Sequence, residues 1–143
     1  MSIETNKDII RRYYHEAVEQ AKFDVLQEHI SPNWVNHTPG MPHVTGPEGA
    51  RQINEFFQNA LPNPQVTIDD LVGEGDMVAI RFTYSGTHEG ELLGVAPTGK
   101  LVSFTGSAFH RIIDDKITDD WIHFDIAGVL QQIGASPIPA ASN

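Results

Sequence analysis

Cysteine is absent, so disulfides, thiol nucleophiles and cysteine-ligated metals are excluded. Basic residues are few: 9 Lys and Arg stand against 19 Asp and Glu, a formal charge of −10. Surfaces that hold nucleic acid or anionic lipid need clustered Lys and Arg, so neither partner is expected. An uncharged substrate stays open. No apolar run approaches membrane-spanning length. The first residues, MSIETNKDII, lack a basic start followed by an apolar run. No signal peptide is read there, and a cytoplasmic location is the expectation. The Gly-x-Ser-x-Gly elbow of many serine nucleophiles is missing too.

What is there suits one domain. A chain of 143 residues, 40 % of them hydrophobic, can bury a core of its own. TNKDIIRRYYHEAVEQA repeats apolar pairs every four residues, Ile9/Ile10, Tyr13/Tyr14 and Ala17/Val18, which predicts a helix capped by Thr5. FDVLQEHI predicts a second, short helix, and NWVNHT a short strand closed by the Pro39-Gly40 turn. In TGPEGARQINEFFQNAL, Thr45 and Glu48 have capping-box spacing and Pro47 sits in the first turn, so a third helix is expected.

Beyond Pro64 the period changes. QVTIDDLVG, MVAIRFTYSGTH, LVSFTGSAFHRII and ITDDWIHFD read as strands of an antiparallel meander. IAGVLQQIG reads as a short terminal helix or turn. Residues 1–135 are thus expected to form a single domain, with 136–143 a loose, proline-bearing tail. Helices followed by a run of strands imply an α+β fold, its N-terminal helices packed on one face of a curved, mostly antiparallel sheet. Such a sheet leaves a hollow at its wide end, where a small ligand can bind.

GTHEGELLGVAPTGK, residues 86–100, has the glycines and the Gly-Lys ending of a phosphate loop. That motif continues with Ser or Thr and then a helix. Here Leu101 follows, and LVSFTGSAF alternates like a strand, so the glycines serve a turn instead.

The same stretch, with FHRIIDDKITDDW and DIAGVLQQIG, resembles the SnoaL-like polyketide cyclase (ester cyclase) family of the nuclear-transport-factor-2-like superfamily. The likeness runs from about the first helix to Gly134. It implies a cone-shaped α+β barrel, a homodimer or homotetramer formed through the sheet face, no cofactor, and ring closure of a polyketide ester by intramolecular aldol condensation. It also implies a His and an Asp on adjacent strands that move the protons. Those positions fall on Ala108 and Ile122, whose side chains cannot.

Other residues are therefore the candidates for proton transfer. His110 shares a strand face with Ala108, and histidine is the residue type best suited to proton transfer near physiological pH. Asp125 precedes the final segment and can act as a base or as a helix cap. His37 and His88 can each donate to a substrate carbonyl or fasten a loop. Tyr13, Tyr14 and Tyr84 are candidates to line the hollow, together with Ala108, Ile122 and Phe124. Trp121 is also a candidate for substrate contact, although it shares with His123 the face opposite Ile122 and Phe124, where a dimer contact is expected; a bulge would exchange the two faces. His123 and Asp125 spell His-x-Asp, and a metal triad would need His37, His88 or His110 besides. The pattern is short, and no metal is expected. The resulting expectation is an enzyme that works on an apolar, carbonyl-bearing small molecule by acid–base chemistry. The alternatives are an isomerase or hydrolase with the same pocket, or a binding protein without catalysis.

Overall fold

The computed structural model describes residues 2–135; the tail expected over 136–143 lies outside the described residues. Four helices and five strands follow in the expected order: α1 (Ile3–Arg12), a π-helical segment (Tyr13–Glu19), α2 (Asp24–His29), β1 (Ile30–Asn36), α3 (Gly46–Ala60), β2 (Gln65–Glu74), β3 (Met77–Thr87), β4 (Leu101–Ile113), β5 (Lys116–Phe124) and α4 (Ile126–Gln132). The strands form one sheet in the order β1-β5-β4-β3-β2. β2 to β5 are antiparallel neighbours, and β1 runs parallel to β5. The architecture is α+β with an open five-stranded mixed sheet.

Local chemistry differs from expectation in three places. Ser2, not Thr5, caps α1: its Oγ accepts from the Thr5 N–H at 3.0 Å. Thr45 stands at the N-cap of α3 but makes no side-chain bond there. The first helix also changes pitch at Tyr13. The wider π turn, a feature concentrated at functional sites, buries the adjacent Tyr13 and Tyr14 together, along with Ala17.

Residues 86–100 form no phosphate loop. β4 begins at Leu101, and Gly94 and Gly99 take the positive φ that the turns require. The loop is pinned to the end of α3, where Glu89 and Gly90 both donate backbone N–H groups to Ala60 O. Gly90 lies so close to Asn59 O that a Cβ would come within 2.1 Å of it.

Inward-facing residues alternate along the sheet: Val78, Ile80, Phe82 and Tyr84 on β3, and Val102, Phe104, Ala108 and His110 on β4. α1 packs on β2 and β3, and α3 on β1. Full burial of each large aliphatic residue in this layer stabilises the fold by roughly 1.5–3 kcal/mol. Phe82 lies over Gly106, where a Cβ would fall 2.5 Å from its Cζ. This glycine lets the aromatic layer sink towards the sheet.

Candidate functional site

Between helices and sheet lie two chambers that share a neck of Met41, Ile53, Phe57, Phe104, Ile122 and Phe124. The outer one has a volume of about 700 Å³ and opens between the Thr38–Val44 segment, Leu92, Leu93 and Ile126. That is the size of a small-molecule site. The inner one, about 80 Å³, is almost wholly apolar and takes only the tip of a ligand. All three tyrosines of the chain line it.

A chain of buried polar groups ends at this inner chamber. The β4–β5 hairpin turns on Asp114 and Asp115, both at positive φ as a two-residue turn requires. Counting outward, Ile113 pairs with Lys116 and Ile112 with Ile117. A bulge at Thr118 then shifts the register, so that Arg111 faces Asp119 and His110 faces Asp120. The bulge also changes which side chains point inward: Ile117 is buried on one side of it, and Asp120, Ile122 and Phe124 face the interior on the other.

His110 and Asp120 have no solvent exposure, and His110 Nδ1 bonds Asp120 Oδ1. Trp34 Nε1 donates to Asp120 Oδ2 at 3.0 Å. Tyr14 Oη lies 2.8 Å from His110 Nε2. An ionised carboxylate only accepts, so Nδ1 carries the imidazole proton and Nε2 accepts from the Tyr14 hydroxyl. Beside this chain, Asn54 Nδ2 donates to Tyr13 Oη at 3.3 Å and to Ala50 O at 2.9 Å. Tyr13 therefore keeps its own proton to offer. Burial raises the pKa of both phenols, and the Asp120 charge raises them further. Desolvation alone raises Tyr84. All three rest as neutral hydroxyls.

The structure brings some candidates together and separates others. His110, Tyr14 and Tyr13 meet at the inner chamber, Tyr84 lines it, and Ile122 and Phe124 form part of the neck. Asp125 stands apart. It caps α4, with Oδ1 accepting from Gly128 N at 2.9 Å, and borders only a shallow depression on the outer face. Capping wins there because the helix leaves orphan N–H groups one residue away.

His88 is buried but lines neither chamber; its Nδ1 holds Thr98 N and Oγ1 at 3.2 and 2.9 Å. His37 is half exposed, bonds Asp119 Oδ2 at 2.8 Å and stacks on Trp121 with centroids 4.7 Å apart. Trp121 therefore lies outside the chambers, under Arg111. Ala108 is buried in the wall opposite Ile122 and lines neither space. His123 is exposed, and among the described residues no three His, Asp or Glu side chains gather as a metal-ligand group.

Sequence reasoning missed Asp120, Trp34 and Asn54. Asp120 carried a usable signal, since it shares strand parity with Ile122 and Phe124.

The chain resembles known proteins throughout. The family model for SnoaL-like polyketide cyclase matches residues 8–133. Aklanonic acid methyl ester cyclase AcmA of Streptomyces galilaeus is 32% identical over 130 residues, 83% of this chain and 84% of that protein. Among solved structures, the candidate polyketide cyclase IdmH of Streptomyces antibioticus is 34% identical, with a TM-score of 0.78 over 90% of this chain and 98% of that one. AclR of Streptomyces galilaeus, a candidate hydroxylase, is 26% identical with a TM-score of 0.84, covering 97% and 91%.

Proposed function

We propose, for a chain that belongs to the SnoaL-like polyketide cyclase family, that it closes a ring in an apolar carbonyl-bearing substrate by acid–base chemistry supplied by its own side chains. One observation carries this reading: the polar chain Trp34–Asp120–His110–Tyr14 ends in the apolar inner chamber, which leads into an outer chamber of ligand size. Buried polar groups are costly unless satisfied, so a relay of this length in an apolar wall suits a proton-transfer role.

The chemistry balances within the substrate. The α-carbon proton passes to Tyr14 Oη as the phenolic proton passes to His110 Nε2, and Asp120 holds the imidazolium that forms. Tyr13, oriented by Asn54, donates its hydroxyl to the enolate oxygen. The enolate carbon then attacks a second carbonyl of the same molecule, forming the carbon–carbon bond and an alkoxide. The relay runs backwards: Tyr14 delivers its proton to the alkoxide and recovers one from His110. Because Tyr14 is held neutral at rest, its two proton transfers must be concerted.

The experiment follows both steps. Aklanonic acid methyl ester, the substrate class in the name of the AcmA relative, is incubated with the protein and the ring-closed product measured. Deuterium uptake at the α-carbon of ethyl acetoacetate in D₂O is followed in parallel. Ring closure or exchange above the buffer rate, lost in Tyr14→Phe and His110→Gln, is the expected result. Rates equal to buffer with both compounds would overturn the proposal. The second reading, a binding protein without catalysis, draws on the apolar Ala108 and Ile122 where the family resemblance places His and Asp. It predicts saturable binding of the ester with neither exchange nor product.

A further inference from the structure

Of the three phenols at the inner chamber, two have hydrogen-bond partners among the described residues and one does not. Tyr13 Oη is bonded by Asn54 and Tyr14 Oη by His110. Tyr84 Oη is buried with no partner among the described residues. The side chain is only 4 % exposed, and the ring is stacked on Phe104 with centroids 5.0 Å apart and tilted against Phe57 at 6.4 Å. A hydroxyl left this way costs roughly 1–3 kcal/mol, which phenylalanine at the same position would avoid.

We propose that Tyr84 is a specificity-determining residue whose hydroxyl bonds an oxygen of the bound substrate, distinct from the oxygen at the reacting centre. The inference deepens the cyclase reading and rests on it only for which end of the ligand reacts. Tyr14 packs on Phe82 with centroids 5.9 Å apart, and Tyr84 is the next inward residue on β3. Inward neighbours on a strand lie ~7 Å apart, so the substrate oxygen that meets Tyr84 is a second one, away from the carbon that loses its proton. The chemical class is an oxygenated ring system, with a ketone, quinone or phenol oxygen inserted past the neck. A hydrocarbon ring of equal shape would leave Tyr84 unsatisfied and bind less well.

The test compares 1-tetralone with tetralin, one two-ring skeleton with and without a carbonyl oxygen. Binding to the wild-type protein, Tyr84→Phe and Tyr13→Phe is measured by chemical-shift titration. The wild type is expected to prefer 1-tetralone by ~3- to 10-fold, the worth of one ordinary hydrogen bond. Tyr84→Phe should erase the preference while leaving tetralin affinity unchanged, and Tyr13→Phe should keep it. The melting temperature of Tyr84→Phe should equal or exceed that of the wild type, because an unpaired hydroxyl is removed from the free protein. A preference that survives in Tyr84→Phe would overturn the assignment, as would a melting temperature several degrees lower, the mark of a lost structural bond. The outcome does not depend on catalysis: buffer rates of both ring closure and α-proton exchange in the wild type would sink the cyclase reading and leave this comparison standing.

Discussion

His110 and Asp120 face each other across β4 and β5, two register pairs nearer the Asp114–Asp115 turn than Ala108 and Ile122. The two pairs share a sheet face, so the proposed proton relay starts from the same side of the sheet as the apolar Ala108 and Ile122. The difference is access: Ile122 borders both chambers, whereas His110 and Asp120 reach the cavity only through Tyr14. Asp120→Asn puts an amide where two donors, Trp34 Nε1 and His110 Nδ1, require acceptors. We predict a loss of about 3 kcal/mol in urea unfolding and a fall of ~10²-fold or more in α-proton exchange. Wild-type exchange in a folded Asp120→Asn protein would remove Asp120 from the mechanism.

The fold was legible because each strand and helix announces itself locally. LVSFTGSAFHRII alternates along its whole length and becomes β4 with those bounds. The site was less legible, for one physical reason. Without the bulge at Thr118, the hairpin would pair His110 with Asp119 and turn Asp120 outward. A bulge is a one-residue choice made by long-range packing, here with β1 on the far edge of β5. Trp34 was hidden for the same reason: its contact with Asp120 needs the parallel β1–β5 pairing, which the meander reading did not include. Asp125 kept two readings, base and cap, because one carboxylate suits both roles; the bond from Gly128 N–H shows the cap.

Tyr14→Phe separates the relay from the stability of the fold. The variant keeps the ring contacts with Tyr13, Phe82 and His110 and deletes only the oxygen that meets His110 Nε2. Stability should drop by about 1 kcal/mol, while exchange drops by ~10²-fold or more. Tyr13→Phe should slow exchange less and leave the His110 ring signals unmoved by NMR. Equal effects of the two substitutions on exchange would argue against separate roles.

Asp119 and His37 offer a pH test at the rim. Burial raises the Asp119 carboxyl pKa, but bonds from His37 and Thr118 and the charge of Arg111 outweigh it, so the net shift is downward. A carboxylate lowered in the folded state adds stability above its unfolded pKa of about 3.9 and loses it as pH falls through the folded value. The pair is partly exposed, so the gain is under ~1 kcal/mol. His37→Gln should move the carbon-detected Asp119 titration upward and shrink the stability difference between pH 6 and pH 3. An unchanged titration would show that the pair is not formed in solution.

We propose that a second copy of the chain covers the outer face of the sheet, where Leu101, Phe109 and Ile113 on β4 are 71, 53 and 46 % exposed. Sedimentation equilibrium should find a dimer or tetramer for the wild type and a smaller species for Phe109→Lys, with the fold intact by circular dichroism. The same molar mass for both proteins would place any interface elsewhere.

Every tyrosine of the chain lines the inner chamber. All three phenols have raised pKa values in the folded state, above an unfolded value near 10. For an acid shifted upward, the folded state holds its proton where the unfolded state has released it. Stability is therefore fully present below pH ~10 and falls as pH rises further, by up to ~1.4 kcal/mol per pH unit for each phenol. Urea unfolding at pH 9, 10 and 11 should show a flat region followed by a steep loss. Replacing Tyr13, Tyr14 or Tyr84 singly with Phe should remove about one third of that slope. A phenol whose replacement leaves the slope unchanged would have to be open to water in solution, and for Tyr14 that would undo the dry proton relay.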